Sequence, residues 1–220
     1  MHLVRAVVQA RLAYLISGGT GTGKTTLLST LLGLVPPAER IVIVEDATEL
    51  RPAHPHVVSL QSRPSNVEGV GAVALRDLVR QALRMRPDRL VVGECRGAEV
   101  VDLLGALNMG HDGGAGTLHA NTASDVPARL EALGLLGGVS RDALHAQLAA
   151  GLQLVLHVGR TATGRALEEV CVLMPGGPAR LVHAVTAWRR GSGPGPAVAA
   201  FARLLASRGV APPPALGGSA

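Results

Sequence analysis

The chain has 220 residues, 47% of them hydrophobic and 1% aromatic, with a formal net charge of +5 and a sequence pI of about 10.5. A chain of this length can bury one sizeable core, which leucine, valine and alanine have to fill because aromatic residues are so few. No apolar run reaches the ~18 residues that cross a membrane, and Cys95 and Cys171 lack the spacing of metal ligands. These features argue against a membrane-spanning protein and a zinc site, and they indicate core thiols in a reducing cytoplasm.

The positive charge is compatible with an acidic partner, such as nucleic acid or anionic lipid. It comes from 20 arginines and a single lysine, in a chain rich in alanine, glycine and valine. This composition is typical of a GC-rich genome, which explains the charge more simply. No nucleic-acid partner is therefore expected.

Apolar strand-like runs alternate with helical patterns along the first half of the chain. Strands are predicted at residues 12–17, 41–45, 57–60 and 90–93, and helices at 25–34, 75–85 and 100–109, followed by a loop at 110–116. Such alternation predicts an α/β fold in which helices cover both faces of a mainly parallel sheet.

The second half of the chain predicts two helices and then a hairpin. The helices are expected at 124–136, capped by Ser124, and at 140–150, capped by Ser140. The hairpin strands, 152–158 and 166–174, flank a turn at 161–164. Residues 1–190 are thus predicted to form the core, and residues 191–220 a Gly/Pro-rich flexible link, a short amphipathic helix at 197–208 and a flexible tail.

A nucleotide-binding loop surrounds Lys24, the one lysine of the chain. Its sequence matches the pattern G-x-x-x-x-G-K-[ST] between a predicted strand and a predicted helix. In such loops, backbone N–H groups and the helix N-terminus face the phosphates, and a compact ammonium fits where a wide guanidinium does not. The predicted nucleotide-binding residues are Gly18, Gly19, Thr20, Gly21, Thr22, Gly23, Lys24, Thr25 and Thr26. We expect ATP as the ligand and Mg²⁺ on the Thr25 hydroxyl.

Acidic side chains follow two apolar strands, where they face the ligand crevice of a parallel sheet. Glu45 ends the strand at 41–45 and is followed by Asp46 and Glu49. Glu94 follows the strand at 90–93 in the manner of a Walker B acid, where its carboxylate can hold Mg²⁺ through water or polarise the attacking water. His119 lies between glycine-rich and polar residues, a position that suits a sensor of the γ-phosphate.

The chain resembles a known family in four ordered motifs. They are ISGGTGTGKTTLL at 16–28, ERIVIVEDATEL at 39–50, RDLVRQALRMRPDRLVVGECRG at 76–97 and NMGHDGGAGTLHAN at 108–121. The first is the phosphate loop, and the other three resemble an Asp box, a Walker B motif and a His box. Together they resemble the CpaF/TadA-type ATPases of tight-adherence (Flp) pilus assembly, within the type II/type IV secretion ATPase superfamily.

The resemblance implies a RecA-like ATPase that forms a homo-hexameric ring, with ATP between neighbouring subunits. By position, Glu45 is implied to activate water, Glu94 to serve Mg²⁺ or water, and His119 to act as the sensor. Arg63 and Arg76, near the Asp box, are candidates to neutralise charge in the transition state. The implied location is the cytoplasm, at the inner face of the membrane through the platform proteins of a pilus or secretion system.

One departure from the family pattern leaves alternatives open. About 11 residues precede the first predicted strand, where the family has a sizeable domain, so this domain is expected to be absent. The alternatives to a secretion ATPase are a non-catalytic or truncated ring subunit and an ATPase that moves nucleic acid. The retained Lys24, Glu45, Glu94 and His119 favour the ATPase, and the lack of aromatic residues among the basic ones weighs against nucleic acid.

Overall fold

The computed structural model describes residues 2–65, 67, 71–162 and 164–217. Its strands are β1 Tyr14–Ser17, β2 Ile41–Glu45, β3 Val57–Gln61, β4 Arg89–Cys95, β5 Ala115–Leu118, β6 Leu154–Thr161, β7 Gly164–Gly176, β8 Leu181–Arg189 and β9 Gly193–Pro194. Its α-helices are α1 His2–Gln9, α2 Lys24–Leu32, α3 Leu75–Arg84, α4 Glu99–Asn108, α5 Val126–Leu136, α6 Arg141–Gly151 and α7 Val198–Ala206.

The strands form one sheet in the spatial order β3-β2-β4-β5-β1-β6-β7-β8-β9. Every pairing from β3 to β6 is parallel, whereas β7, β8 and β9 continue the sheet antiparallel. The prediction of a mainly parallel sheet with a C-terminal hairpin is therefore confirmed. Since the first six strands run the same way, their carboxyl ends meet at one edge of the sheet, where ligands bind in open α/β folds.

Each face of the sheet is covered by its own hydrophobic cluster. Helices α1, α2 and α7 pack on one face, mainly through leucine and valine side chains. Helices α3, α4, α5 and α6 pack on the opposite face in the same way. The predicted coverage of both faces is thus confirmed. Among the described helices, none combines the length and the apolar character needed to cross a bilayer.

Two local predictions are wrong. The predicted loop at 110–116 contains the start of β5, whose four residues are all buried between β1 and β4. Ser124 does not cap the following helix, whose N-cap residue is Asp125; Thr122 instead caps a 3₁₀ turn in a capping box with Asp125, whose carboxylate accepts a hydrogen bond from the Thr122 N–H at 3.0 Å. This short turn, Ala123–Asp125, then leads into α5. Ser140 does cap α6, as predicted.

The two ends of the chain carry more structure than the sequence patterns predicted. Helix α1 and strand β8 were not predicted, and β9 lies inside the segment 191–196 that was predicted to be a flexible link. The predicted helix at 197–208 is α7, which buries Phe201 and Leu205. Leu216 of the predicted tail is also buried. Residues 218–220 of that tail, and Thr163 of the predicted hairpin turn, lie outside the described residues.

His145 connects α6 to two other elements within the core. Its buried ring places Nε2 2.7 Å from Glu131 Oε1 of α5, and its Nδ1 accepts a hydrogen bond from the Val182 N–H of β8 at 2.8 Å. Because Nδ1 is an acceptor, the proton of the neutral ring lies on Nε2. We expect His145→Leu to lower the free energy of unfolding by about 1–3 kcal/mol, since a buried backbone N–H loses its partner.

Urea unfolding followed by circular dichroism measures this effect. Arg141→Ala is the matched control, because Arg141 is an exposed second partner of Glu131, at 3.2 Å. The control should change stability by no more than about 1 kcal/mol. Equal unfolding midpoints for the parent and His145→Leu would contradict the structural role of the ring.

Candidate functional site

The predicted site residues gather at the carboxyl edge of the parallel strands. The loop at 18–23 follows β1 and leads into α2, which begins at Lys24. Glu45 is the last residue of β2, Glu94 lies next to the last residue of β4, and His119 directly follows β5. Three separate strands and the loop thus bring their polar groups to one region.

The loop holds the ammonium of Lys24 with its own carbonyl groups. Nζ donates to Gly18 O at 3.1 Å and to Gly19 O at 3.0 Å, and the residue is 7% exposed. Burial lowers the pKa of Lys24, which the nearby Glu94 carboxylate opposes. Gly23 caps α2 in the left-handed region, with φ +95°, a conformation that favours glycine. The loop is therefore shaped to turn backbone N–H groups towards an anion at the helix N-terminus.

The threonines of the loop have different surroundings. The Thr22 hydroxyl donates to Gly19 O at 2.9 Å, which stabilises the turn of the loop. The Thr25 hydroxyl donates to Glu49 Oε2 at 3.3 Å. Thr20 is exposed and lines a depression of about 510 Å³, as His119 does. Thr26 is exposed on the first turn of α2. Thr25 is thus the loop hydroxyl that lies beside a carboxylate.

Glu45 is an almost fully buried carboxyl group at the end of β2. It is 5% exposed, and its Oε1 accepts hydrogen bonds from Leu50 N at 3.0 Å and Glu49 N at 3.3 Å. Its side chain lies against Gly93 of β4, where an added Cβ would come within 2.5 Å of Glu45 Cγ. Burial raises the pKa of Glu45, and the two backbone hydrogen bonds oppose this. A carboxylate with a raised proton affinity is suited to accept a proton from water.

Glu94, His119 and Lys24 form a chain of close contacts. His119 Nε2 lies 2.7 Å from Glu94 Oε1, and its Nδ1 lies 3.4 Å from Lys24 Nζ. Glu94 Oε1 is thus within ion-pair distance of the ring, although it makes no hydrogen bond of standard geometry among the described residues. Arg96 Nη2 contacts the other carboxylate oxygen at 2.5 Å. The ring of His119 therefore links the phosphate loop to the acid of β4.

Arg63 and Arg76, the other two predicted site residues, make their contacts elsewhere. Arg63 Nε donates to Gly71 O at 2.8 Å, and Arg63 lines a surface depression of about 600 Å³ beside Asp46. Arg76 Nε contacts Asp102 Oδ2 of α4 at 2.6 Å. Within the described part of the chain, neither guanidinium is recorded in contact with the phosphate loop.

Two arginines that the sequence analysis did not select lie over the phosphate loop. A Cβ added to Gly21 would come within 2.8 Å of Arg160 Nη2, and one added to Gly23 within 3.2 Å of Arg165 Cδ. Both arginines flank the tip of the β6–β7 hairpin. In the sequence, the one feature that distinguishes these arginines is their position on either side of the predicted turn at 161–164. That position does not indicate what the turn contacts.

Comparison with known proteins identifies the family. The profile of the family described as "Type II/IV secretion system protein" matches residues 1–172. The chain belongs to this family. A relative from Mycobacterium tuberculosis strain H37Rv, named "Putative conjugal transfer protein Rv3659c", is 61% identical over 207 residues, which are 94% of this chain and 58% of that protein.

A second relative of this chain is the conjugal transfer protein TrbB of Rhizobium radiobacter. It is 35% identical over 170 residues, which are 76% of this chain and 50% of that protein. The chain thus spans about half the length of the curated relatives it matches.

Solved structures of secretion ATPases share the fold. The VirB11 ATPase from the Brucella suis type IV secretion system, in complex with sulphate, has a TM-score of 0.65 and 28% identity, covering 77% of this chain and 50% of that one. The pilus retraction motor PilT with bound ADP has a TM-score of 0.56 and 25% identity, covering 79% of this chain and 51% of that one. The predicted RecA-like fold and the predicted membership of the type II/type IV secretion ATPase superfamily are therefore confirmed.

Proposed function

We propose that this chain is the ATP-hydrolysing core of a secretion motor. The observation that carries the proposal is the chain of contacts from Lys24 through His119 to Glu94, which joins a phosphate loop to a strand-end acid. A scaffold subunit has no need of this arrangement, whereas an ATPase uses it to connect the phosphates with the groups that act on water. Family membership supports the proposal, because the structural relatives are named as ATPases and motors.

The phosphates of ATP are expected to lie along the loop at 18–25. Backbone N–H groups, the N-terminus of α2 and the ammonium of Lys24 all favour an anion there. The sulphate complex of the VirB11 relative is consistent with anion binding in the family. In this position Lys24 exchanges its carbonyl partners for phosphate oxygens.

The donor set beside the loop fits Mg²⁺, which prefers oxygen ligands and retains several waters. Thr25 would supply a hydroxyl and Glu94 a carboxylate, whose Oε1 lies 2.7 Å from His119 Nε2. Glu49, the partner of the Thr25 hydroxyl, adds a second carboxylate. When bound, the metal neutralises charge on the phosphates.

For the hydrolysis step, we assign Glu45 to accept the proton of the attacking water. Its burial and raised pKa suit this role better than the environment of Glu94, whose carboxylate contacts Arg96 and His119. Glu94 is then left to orient water or Mg²⁺, and His119 to donate to a γ-phosphate oxygen. Arg63 and Arg76 are proposed to act on the site of a neighbouring subunit, because their own contacts lie away from the loop of their own chain.

Two observations bear on which machine this motor serves, and they favour different ones. The motif resemblance favours tight-adherence (Flp) pilus assembly, whereas the relatives' names favour conjugal transfer and type IV secretion. In either machine we expect a homo-hexamer, inner-membrane platform proteins as partners and a cytoplasmic position at the membrane. No nucleic acid is expected as a direct partner.

Steady-state ATPase assays and light scattering on the same sample test this proposal. Arginines in trans contribute 10³–10⁵ in rate in other phosphoryl-transfer systems, so hydrolysis by residues 1–220 alone should be slow, and it should rise with protein concentration as rings form. Nucleotide binding without hydrolysis at any concentration, even with a longer form of the protein, would favour a scaffold subunit instead. A large stimulation by DNA would favour a nucleic-acid motor.

The hairpin arginines give a second prediction. Arg160→Ala and Arg165→Ala should each weaken ATP binding several-fold, and the double variant roughly tenfold or more, because both cationic side chains lie against the phosphate loop. Fluorescence titration with an ATP analogue measures this. Arg180→Ala is the control, since Arg180 lies in the turn between β7 and β8, at the opposite end of β7. Parent affinity in the double variant would remove both arginines from the site.

A further inference from the structure

A buried polar pair joins the phosphate loop to strand β6. Ser17 is the last residue of β1, and its register partner on β6 is His157. Ser17 Oγ lies 2.8 Å from His157 Nδ1, and the two residues are 0% and 8% exposed. The other residues of β1 are all buried and hydrophobic, namely Tyr14, Leu15 and Ile16. The pair is therefore a specific polar contact at the end of an otherwise apolar strand, directly before the first glycine of the loop.

The next residues of the two strands are also in close contact. Gly18 packs so tightly against Val158 that an added Cβ would overlap the Val158 carbonyl oxygen. Further along, the hairpin reaches Gly21 and Gly23 through its two arginines. The start of the loop is thus held against β6 at two successive positions.

We propose that His157 is a positioning residue for the phosphate loop, acting through Ser17. This inference rests on the proposed function, because that function assigns the binding of ATP phosphates to the loop. The carbonyl groups of Gly18 and Gly19 hold Lys24 Nζ, and Gly18 directly follows Ser17. A rotation or shift of Ser17 therefore moves the groups that place the ammonium. A misplacement of ~1 Å can reduce a catalysed rate ~10²-fold.

The environment of the ring is consistent with this role. Burial lowers the pKa of His157, although the carboxylates of Glu168, Glu169 and Asp125 oppose this. A neutral ring has one nitrogen that accepts a hydrogen bond, which the Ser17 hydroxyl can satisfy. The ring also lines a cavity of about 570 Å³. The ring of His157 thus contacts Ser17 on one side and lines this cavity on the other.

Four variants separate positioning from simple packing. Ser17→Ala and His157→Leu each remove the hydrogen bond, and the double variant removes both partners. His157→Asn retains a polar atom near the position of Nδ1. His145→Leu is the matched control, because His145 is also a buried histidine whose Nδ1 makes a 2.8 Å hydrogen bond, with Val182 N, on α6 and β8 rather than beside the loop.

Two readouts are needed, the affinity for an ATP analogue and amide hydrogen exchange at residues 18–23. Ser17→Ala and His157→Leu should each weaken nucleotide binding roughly tenfold and speed exchange in the loop. The double variant should be little worse than either single one, because both remove the same contact. His157→Asn should recover most of the affinity, and His145→Leu should leave both readouts at the parent values.

Unchanged loop exchange and parent affinity in Ser17→Ala and His157→Leu would overturn the inference, even if their melting temperatures fell. The inference would also be overturned if the losses in affinity of the two single variants added up fully in the double variant. A failure of the proposed function is distinguishable. In that case the parent would not bind nucleotide at all, while faster loop exchange in His157→Leu would still support the positioning role.

Discussion

Replacing Glu45 or Glu94 with glutamine is expected to lower ATP turnover by ~10²-fold or more, with nucleotide affinity within several-fold of the parent. Glutamine retains the size of glutamate but cannot accept a proton from water or neutralise a metal ion. For Glu45 the pH dependence follows from its raised pKa, since the active form is the carboxylate. Activity should therefore begin to fall, as pH decreases, at a pH above the usual range for glutamate.

Phosphate release measured at saturating ATP tests this prediction, with binding measured separately. Asp77→Asn is the control, because Asp77 is an exposed acid in the first turn of α3, outside the site. It should leave turnover unchanged. Parent turnover in both glutamine variants would show that the acid that activates water lies elsewhere.

The second large effect is expected at Lys24. Lys24→Ala removes a charge-assisted phosphate contact worth about 1.5–3 kcal/mol, which corresponds to roughly ten- to a hundredfold in affinity. Lys24→Arg should not restore binding. The ammonium is buried between two loop carbonyl groups and the ring of His119, where a planar guanidinium is too wide.

Titration with a fluorescent ATP analogue compares these variants with the parent. Thr30→Ala is the control, because Thr30 is exposed on α2 and its hydroxyl contacts only the Thr26 carbonyl among the described residues. Parent affinity in Lys24→Ala would contradict the assignment of the phosphate loop. Parent affinity in Lys24→Arg would contradict the steric argument alone.

The parts of the structure that the sequence predicted well are those set by local patterns. Strand β2 was predicted with its observed bounds, since a run of apolar residues ending at Glu45 leaves little choice. The loop and α2 followed from the spacing of glycines around Lys24. Strand β5 was not predicted, because glycine and alanine gave it no strand-like pattern and its burial depends on two neighbouring strands.

The contacts that complete the candidate site could not be predicted in this way. Ser17 and His157 are 140 residues apart in the chain, and their contact arises from the neighbouring positions of β1 and β6. The approach of Arg160 and Arg165 to the loop likewise depends on how the hairpin extends from β6. Sequence motifs thus indicated which residues are candidates for the chemistry, whereas the sheet order decides which of them meet.

The most direct test of the account is a crystal structure of the chain with Mg²⁺ and a non-hydrolysable ATP analogue. We expect the β- and γ-phosphates within hydrogen-bond distance of the N–H groups of residues 19–25, with Lys24 Nζ on phosphate oxygens instead of the carbonyls of Gly18 and Gly19. Glu45 should face the γ-phosphate through a water. A nucleotide bound elsewhere on the protein, with Lys24 still held by its own loop, would contradict the account.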